Sequence, residues 1–418
     1  MTQYIGIGSI KHYLCSPQPI CPVAQFEFTR TLQYPRIREM TPALQTRLRL
    51  YAELTRLTKP IGILIIMYPF LLGFLFTLIS MEPIEWTLHP PQVLHTYIPM
   101  ICLFSIFWRS FGCVWDDIVD ARLDAMVERT RTRPLAQKAI SILHACIIAA
   151  ALLFLAVSTT SVITPHSPNK FGLAIYLAPQ IIMTLLYPFG KRVSYYTSFW
   201  LGFTISWSIF VGARIAGFDI FSHFLDTRHL LWISLSTDDV WLMTVDQSNS
   251  ARALGLTALF VTYAICTAAQ DIIYGFQDIR DDAKLGLKSF AILLGHGPTA
   301  KRVLSVLVVL QVAILGSIPQ LVHSAKLSKM NTASPVGDYW VVLKASWIFI
   351  VFAVVGKAIA WMVVLQRVDL GDVHSTGFYF SQLSFWVQGN IVAGLASQYA
   401  LIALLDDGAA VKIENSTG

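Results

Sequence analysis

Apolar stretches long enough to cross a hydrocarbon layer of about 30 Å recur along the whole chain, and nothing else constrains its fold as much. About nine are legible, near residues 60–80, 92–115, 138–161, 171–189, 196–216, 253–274, 303–322, 340–365 and 383–404. Backbone polar groups in lipid must be satisfied within the protein, and no strand-length alternating pattern marks a barrel, so these segments are helices. The composition agrees: 55% of the residues are hydrophobic and 13% charged, against about 25% charged in soluble domains. The expectation is an all-α, multi-span transmembrane helical bundle of about nine helices. Residues 51–408 form the membrane domain, between a polar N-terminal tail, 1–50, and a short polar C-terminal tail, 409–418.

Basic residues orient the bundle. With nine spans, most of the 31 Lys and Arg residues fall on the side that holds the N-terminus and the even-numbered connections, which is therefore cytoplasmic. That asymmetry accounts for the net charge of +6, and no nucleic-acid partner is needed. The six cysteines make no disulfide framework: Cys102, Cys113, Cys146 and Cys266 fall in or at the ends of apolar helices. Cys15 and Cys21 lie in the tail without metal-ligand spacing. The tail has no acid before Glu27 and reads as a disordered arm, with a mitochondrial transit peptide as the alternative. The connection 218–250, with Asp238, Asp239 and Asp246, lies on the far side and is assigned no chemistry. Asn415 opens a glycosylation triplet too near the C-terminus to be used.

Two acidic clusters break this apolar pattern just beyond helix ends, both on the cytoplasmic face. The first holds Asp116, Asp117, Asp120 and Asp124, and Glu128-Arg129-Thr130-x-x-Arg133-Pro134 follows. The second holds Asp278, Asp281 and Asp282, with Lys284, Gly286, Lys288 and Ser289 after them. On a helix, Asp117, Asp120 and Asp124 share a face, as do Asp116 with Asp120 and Asp278 with Asp282. Acids this dense repel one another, so a site without cations is expected to be strained. Hard oxygen donors favour Mg2+, which substrate phosphates commonly complete. Two such helix ends facing each other would hold a diphosphate between metals. A pair of solvated helix ends is the plainer reading, and the recurrence on one face argues against it.

Basic residues supply the other half. Lys191 and Arg192 follow Tyr187-Pro188-Phe189-Gly190 at the end of the fourth span, while Arg133, Lys284 and Lys288 sit beside the acids. They can bind diphosphate oxygens and stabilise the leaving group, although positive-inside anchoring accounts for many of them equally well. Arg109 lies inside an apolar run, where a charge is costly and marks a ligand or an acidic partner. Lys357, in the eighth span, raises the same question unless it snorkels to the interface.

Together these residues resemble the UbiA-type superfamily of intramembrane aromatic prenyltransferases. Its first signature, Asn-Asp-x-x-Asp-x-x-x-Asp, is filled by Asp116, Asp117, Asp120 and Asp124, and its Arg-Thr-x-x-Arg-Pro segment by Arg129, Thr130, Arg133 and Pro134. The second, Asp-x-x-x-Asp-x-x-x-Gly-x-x-Ser, is matched by Asp278, Asp282, Gly286 and Ser289. Arg109-x-x-Gly112-Cys113 and Arg56-Leu57-x-Lys59-Pro60-Ile61-Gly62 resemble segments of the 4-hydroxybenzoate branch. The likeness covers residues 50–300; beyond them only the spans agree. Asp116 departs from the usual Asn and makes a literal Asp-Asp-x-x-Asp, as in soluble isoprenoid synthases, against which the apolar spans argue. The CDP-alcohol phosphotransferases also pair acids, but they need Gly where Ala121 stands.

The resemblance implies a reaction. Mg2+ on Asp116, Asp117, Asp120, Asp124, Asp278 and Asp282 holds a prenyl diphosphate, with Asp117, Asp120, Asp278 and Asp282 as the catalytic acids. Arg109, Arg133, Lys191, Arg192, Lys284 and Lys288 bind diphosphate or acceptor. An electron-rich aromatic carbon attacks the allylic cation left by diphosphate. Of two branches, meroterpenoid biosynthesis on polyketide-derived phenolics, with farnesyl as donor, is favoured over 4-hydroxybenzoate polyprenylation in ubiquinone synthesis. The C-terminal Val368-Asp369-Leu370 and Phe380 through Trp386-x-x-Gly389 look like the former. That reading places the protein in an endomembrane, the other in the mitochondrial inner membrane. The partners are the two substrates and the bilayer, with no obligate protein partner. A transporter is the remote alternative; it would carry acids near the midplane and internal inverted repeats, and neither is legible.

Overall fold

The computed structural model describes residues 42–80, 92–163, 170–221, 247–327 and 348–401. The expected tail, Cys15, Cys21, the acids at 238, 239 and 246, and Asn415 lie outside the described residues. The chain divides into a unit Met1–Thr46 and a unit Arg47–Gly418, and the membrane helices belong to the second.

The described structure is all-α. Helices α1 (Pro42–Leu54) and α2 (Ile61–Ser80) precede a π-helical turn, Val93–Tyr97, that leads into α3 (Ile98–Asp124). Then come α4 (Ile142–Ile163), α5 (Lys170–Leu186), the short α6 (Gly190–Val193), α7 (Thr197–Ser206) and α8 (Ser208–Ile215). The second half runs α9 (Gln247–Gly275), α10 (Ile279–Lys284), α11 (Phe290–Leu294), α12 (Pro298–Leu327), α13 (Gly356–Arg367) and α14 (Val373–Gln382). Among the described residues, 7 helices are long and apolar enough to cross a membrane. The expected fifth span is broken at Trp207 into α7 and α8, and the ninth is described as helical only to residue 401. Trp207 donates its indole N–H to the Tyr176 carbonyl at 2.7 Å, which fixes the break.

The core is aromatic and aliphatic, with Phe70, Phe74, Phe76, Phe104, Tyr176 and Tyr263 fully buried. Outward faces carry Leu143, Phe154, Val162, Val306 and Val309, an apolar surface that suits lipid rather than water. Small residues let backbones touch where apolar burial gives no drive to associate. Gly73 of α2 lies against the Ile209 backbone of α8, and Gly212 of α8 against the Phe70 carbonyl of α2. Gly202 of α7 meets the Ala264 carbonyl of α9 in the same way. A methyl group at any of the three meets main chain that cannot swing aside. Gly73→Ala is expected to destabilise the detergent-solubilised protein by about 1–3 kcal/mol or more, read as a lower Tm; an unchanged Tm would refute the contact.

Candidate active site

The segment after α3 folds back in a run of turns and returns Arg129 and Arg133 to the helix end. Arg133 donates to Asp117 at 3.1 Å and to Asp124 at 2.7 Å. Arg56 reaches the same Asp117 with Nη2, 2.7 and 2.9 Å from its two oxygens. Its backbone has φ 57°, left-handed and uncommon for a side chain this large. That conformation closes the turn between α1 and α2 with the guanidinium aimed at the acids, held also by the Glu53 carbonyl at 2.7 Å. Asp117 is 1% exposed.

The helix splits the first cluster over two directions. Asp117 and Asp124 face Arg56 and Arg133, while Asp120 accepts from Arg192 at 2.8 Å. Asp116 has no ion pair among the described residues, and it faces Arg109 and Asp120. In the second cluster Asp278 is gripped by Arg129 through both Nε, at 2.8 Å, and Nη2, and Asp282 accepts from Lys191 at 3.0 Å. Arg129 also donates to the Tyr274 hydroxyl at 2.8 Å. Residues of both clusters and of the α5–α6 junction thus meet at one end of the bundle. Asp281 points elsewhere: Lys284 and the Glu128 N–H hold its carboxyl below the usual carboxylate range. Lys284 is spent on that contact, and Lys288 donates to the Val193 carbonyl at 3.0 Å, so both stand at the rim.

This corrects the expectation of a strained cluster without cations. Basic side chains already pair with Asp117, Asp120, Asp124, Asp278 and Asp282, leaving Asp116 without an ion pair, and among the described residues no three acids, histidines or cysteines converge as a metal cage. Oxygen donors on two facing helix ends nonetheless suit Mg2+, provided the bases let go of them.

Several groups at the site were not singled out from sequence. Asp271, on α9, lies against Ser198 and Lys191, close to Asp282. Tyr187 stands among Asp271, Asp116, Asp120 and Arg109. Lys59 is exposed at the same end, where partial desolvation, then the guanidiniums of Arg56, Arg129, Arg133 and Arg109, hold its ammonium below the usual lysine range. Arg56 and Arg129 carry the same signals as anchoring residues, and only their place in the motif blocks marks them.

Arg109 keeps its Nε buried without a hydrogen-bond partner, lying directly over Gly62 of α2. A methyl group on Gly62 would occupy the place of the guanidinium, which can swing away at little cost. Gly62→Ala is therefore expected to lower kcat/KM by about a hundredfold through misplacement, with Tm unchanged. Activity equal to wild type would show that Arg109 does not act from this position.

A sequence model of the UbiA prenyltransferase family matches residues 66–387. Polyprenyl transferase andD of Emericella variicolor is 34% identical over 250 residues, 59% of this chain and 63% of that one. The 4-hydroxybenzoate octaprenyltransferase of Shewanella denitrificans is 31% identical over 257 residues, 61% of this chain and 70% of that one. DMOA farnesyltransferase nvfB of Aspergillus novofumigatus is 28% identical over 246 residues, 59% of this chain and 65% of that one. The chain thus spans less than two thirds of two of these three relatives. Among solved structures, a UbiA homolog from Aeropyrum pernix K1 superposes with a TM-score of 0.52 at 18% identity, over 79% of this chain and 97% of that one, a likeness of fold. The family match begins in the first membrane helix and runs through both acidic clusters, so the multi-pass bundle and its charged end are one inheritance, and the chain belongs to the UbiA prenyltransferase family.

Proposed function

We propose that the protein transfers a prenyl group, farnesyl in the favoured case, from its diphosphate to a ring carbon of a polyketide-derived phenolic acceptor. One observation carries this reading: carboxylates and bases from both clusters are interleaved at a single end of a membrane bundle. Such a site has a partner for each half of a metal diphosphate. Asp116, Asp117, Asp120, Asp124, Asp278 and Asp282 are the residues that would hold Mg2+. When bound, the metal neutralises diphosphate oxygens and makes the group easier to expel.

The chain's own residues do the rest. Arg56, Arg129, Arg133, Lys191 and Arg192, once released from the acids, donate to the diphosphate oxygens. They stabilise its charge as the carbon–oxygen bond breaks. The apolar helices behind them hold the prenyl chain and exclude water, which would otherwise quench the allylic cation. Arg109, unpartnered through Nε, is placed to take an oxygen of diphosphate or acceptor. The attacking ring carbon forms the new bond and then loses its proton, which restores aromaticity.

The farnesyltransferase and polyprenyl transferase among the relatives favour the meroterpenoid branch, and that reading places the protein in an endomembrane. The 31% identity to an octaprenyltransferase sustains 4-hydroxybenzoate polyprenylation, in the mitochondrial inner membrane, as the second reading. Membranes containing the protein are incubated with Mg2+, farnesyl or longer diphosphates, and a panel of orsellinic-type acids and 4-hydroxybenzoate, and products are read by mass. A farnesylated polyketide acid is expected. Product from 4-hydroxybenzoate and long donors alone selects the second reading, and no product from folded protein with any pair sinks both.

A further inference from the structure

We propose that Lys357 and Trp361 form a second recognition point, inside the bundle, for an oxygen of the acceptor; the proposal rests on the prenyl-transfer reading. Lys357 does not snorkel to an interface, being 0% exposed. Its Nζ has no oxygen or nitrogen acceptor and is set against the Cys266 thiol, a weak acceptor and the one titratable group beside it among the described residues. Trp361, one helical turn further along α13, is equally buried, and its indole N–H likewise has no acceptor but that thiol. The Cys266 thiol lies beside Lys357, Trp361 and Gln388, which brings these groups together.

Neighbouring acceptors are already in use. Gln388 Nε2 donates to Gln270 Oε1 at 2.8 Å, and Gln388 Oε1 lies 2.6 Å from the Tyr263 hydroxyl. Gln270 Nε2 donates to Cys266 Sγ at 3.6 Å. What remains is a surplus of donors, one of them an amine, around one weakly accepting thiol, with no carboxylate set against Lys357 among the described residues. A buried donor left unmade is costly, and a lysine inside a membrane bundle implies a partner. The missing complement is an oxygen lone pair, best an anionic one.

Its depth fits the acceptor. Cys266, Gln270 and Tyr274 recur every four residues along one face of α9, and Tyr274 bonds Arg129 at the charged end. Eight residues of helix separate Cys266 from Tyr274, about 12 Å along the axis. A diphosphate held at the charged end, its first prenyl carbon and one substituted ring make a span of that order. The prenyl chain offers only C–H groups, so the oxygen comes from the acceptor or from water.

Lys357→Met and Trp361→Phe, in the full-length protein in membranes, separate these sources. Each is assayed with a phenolic acid and with its methyl ester. Lys357→Met is expected to raise the acceptor KM by about ten- to hundredfold, leave the prenyl diphosphate KM unchanged and erase discrimination between acid and ester. Trp361→Phe shifts the acceptor KM in the same direction, by less. An unchanged acceptor KM in both variants means that the donors hold only water, and the inference falls. Loss of kcat and Tm for every acceptor alike, with the acid-to-ester ratio kept, means a structural role and also overturns it. Where Lys357→Met does not fold, Trp361→Phe and its acid-to-ester ratio decide. A wild-type protein inactive with every pair sinks the prenyl-transfer reading itself, an outcome distinct from an active wild type matched by its variants.

Discussion

Asp278→Asn is expected to lower turnover by about a thousandfold and to raise the Mg2+ concentration needed for half-maximal activity. The substitution keeps the size of the side chain and removes the anion. In the structure Asp278 is gripped by Arg129, whose remaining N–H reaches Tyr274, so a purely structural account is also available. The two accounts differ in a companion variant. If Asp278 serves only to position Arg129, Arg129→Gln alone and together with Asp278→Asn cause the same loss, and the Mg2+ midpoint stays put in all three. If Asp278 is a metal ligand, Arg129→Gln raises the prenyl diphosphate KM without moving the Mg2+ midpoint, whereas Asp278→Asn moves it. Stability has to be followed in parallel. Breaking a buried ion pair costs about 3–5 kcal/mol, and less where water screens it. The Arg129 side chain is 29% exposed, so the folded state should survive. Full activity in Asp278→Asn would remove the second cluster from the reaction.

The sequence made the helices legible because a lipid environment leaves backbone groups one solution. It did not reveal the break at Trp207, since Ser206-Trp207-Ser208 interrupts no apolar run and the break depends on a bond to Tyr176, 31 residues away. The acids were legible from their spacing: helical alignment brings Asp117 and Asp124 to the shared Arg133, whereas Asp278, the cap before α10, takes Arg129 and Asp282 takes Lys191. What spacing could not give was the pairing. Asp117 takes Arg56 from across the first turn, and Arg56 reads from sequence as one more anchor on the positive side. Asp271 hides inside an apolar helix, and only the packing of α7 and α6 onto α9 places Ser198 and Lys191 against it. Lys357 fails for the same reason: whether a long side chain snorkels or stays inside is decided by the helices around it.

Chelation is expected to abolish turnover without lowering the Tm of the ligand-free protein. Dense carboxylates with no counter-charge would make the metal-free fold depend on cations. Here Arg56, Arg133, Arg192, Arg129 and Lys191 already supply that charge. For these acids to hold Mg2+ alone, a guanidinium would have to leave and stand unpaired beside them. For the bases to take a diphosphate alone, a carboxylate would lose its partner. With both present, the acids would turn to the metal and the bases to the phosphate, and no buried charge would be stranded. Stabilisation should therefore be cooperative. Mg2+ or an unreactive prenyl thiodiphosphate, added singly, should leave Tm almost unmoved. Both together, at about a hundredfold over Kd, should stabilise the fold by about 2.7 kcal/mol. Thermal unfolding in detergent, with EDTA, Mg2+, the analogue and the pair, reads this directly. A large shift with Mg2+ alone, or a Tm lowered by EDTA, would mean that the acids bind metal without giving up their bases, and the exchange of partners would have to be abandoned.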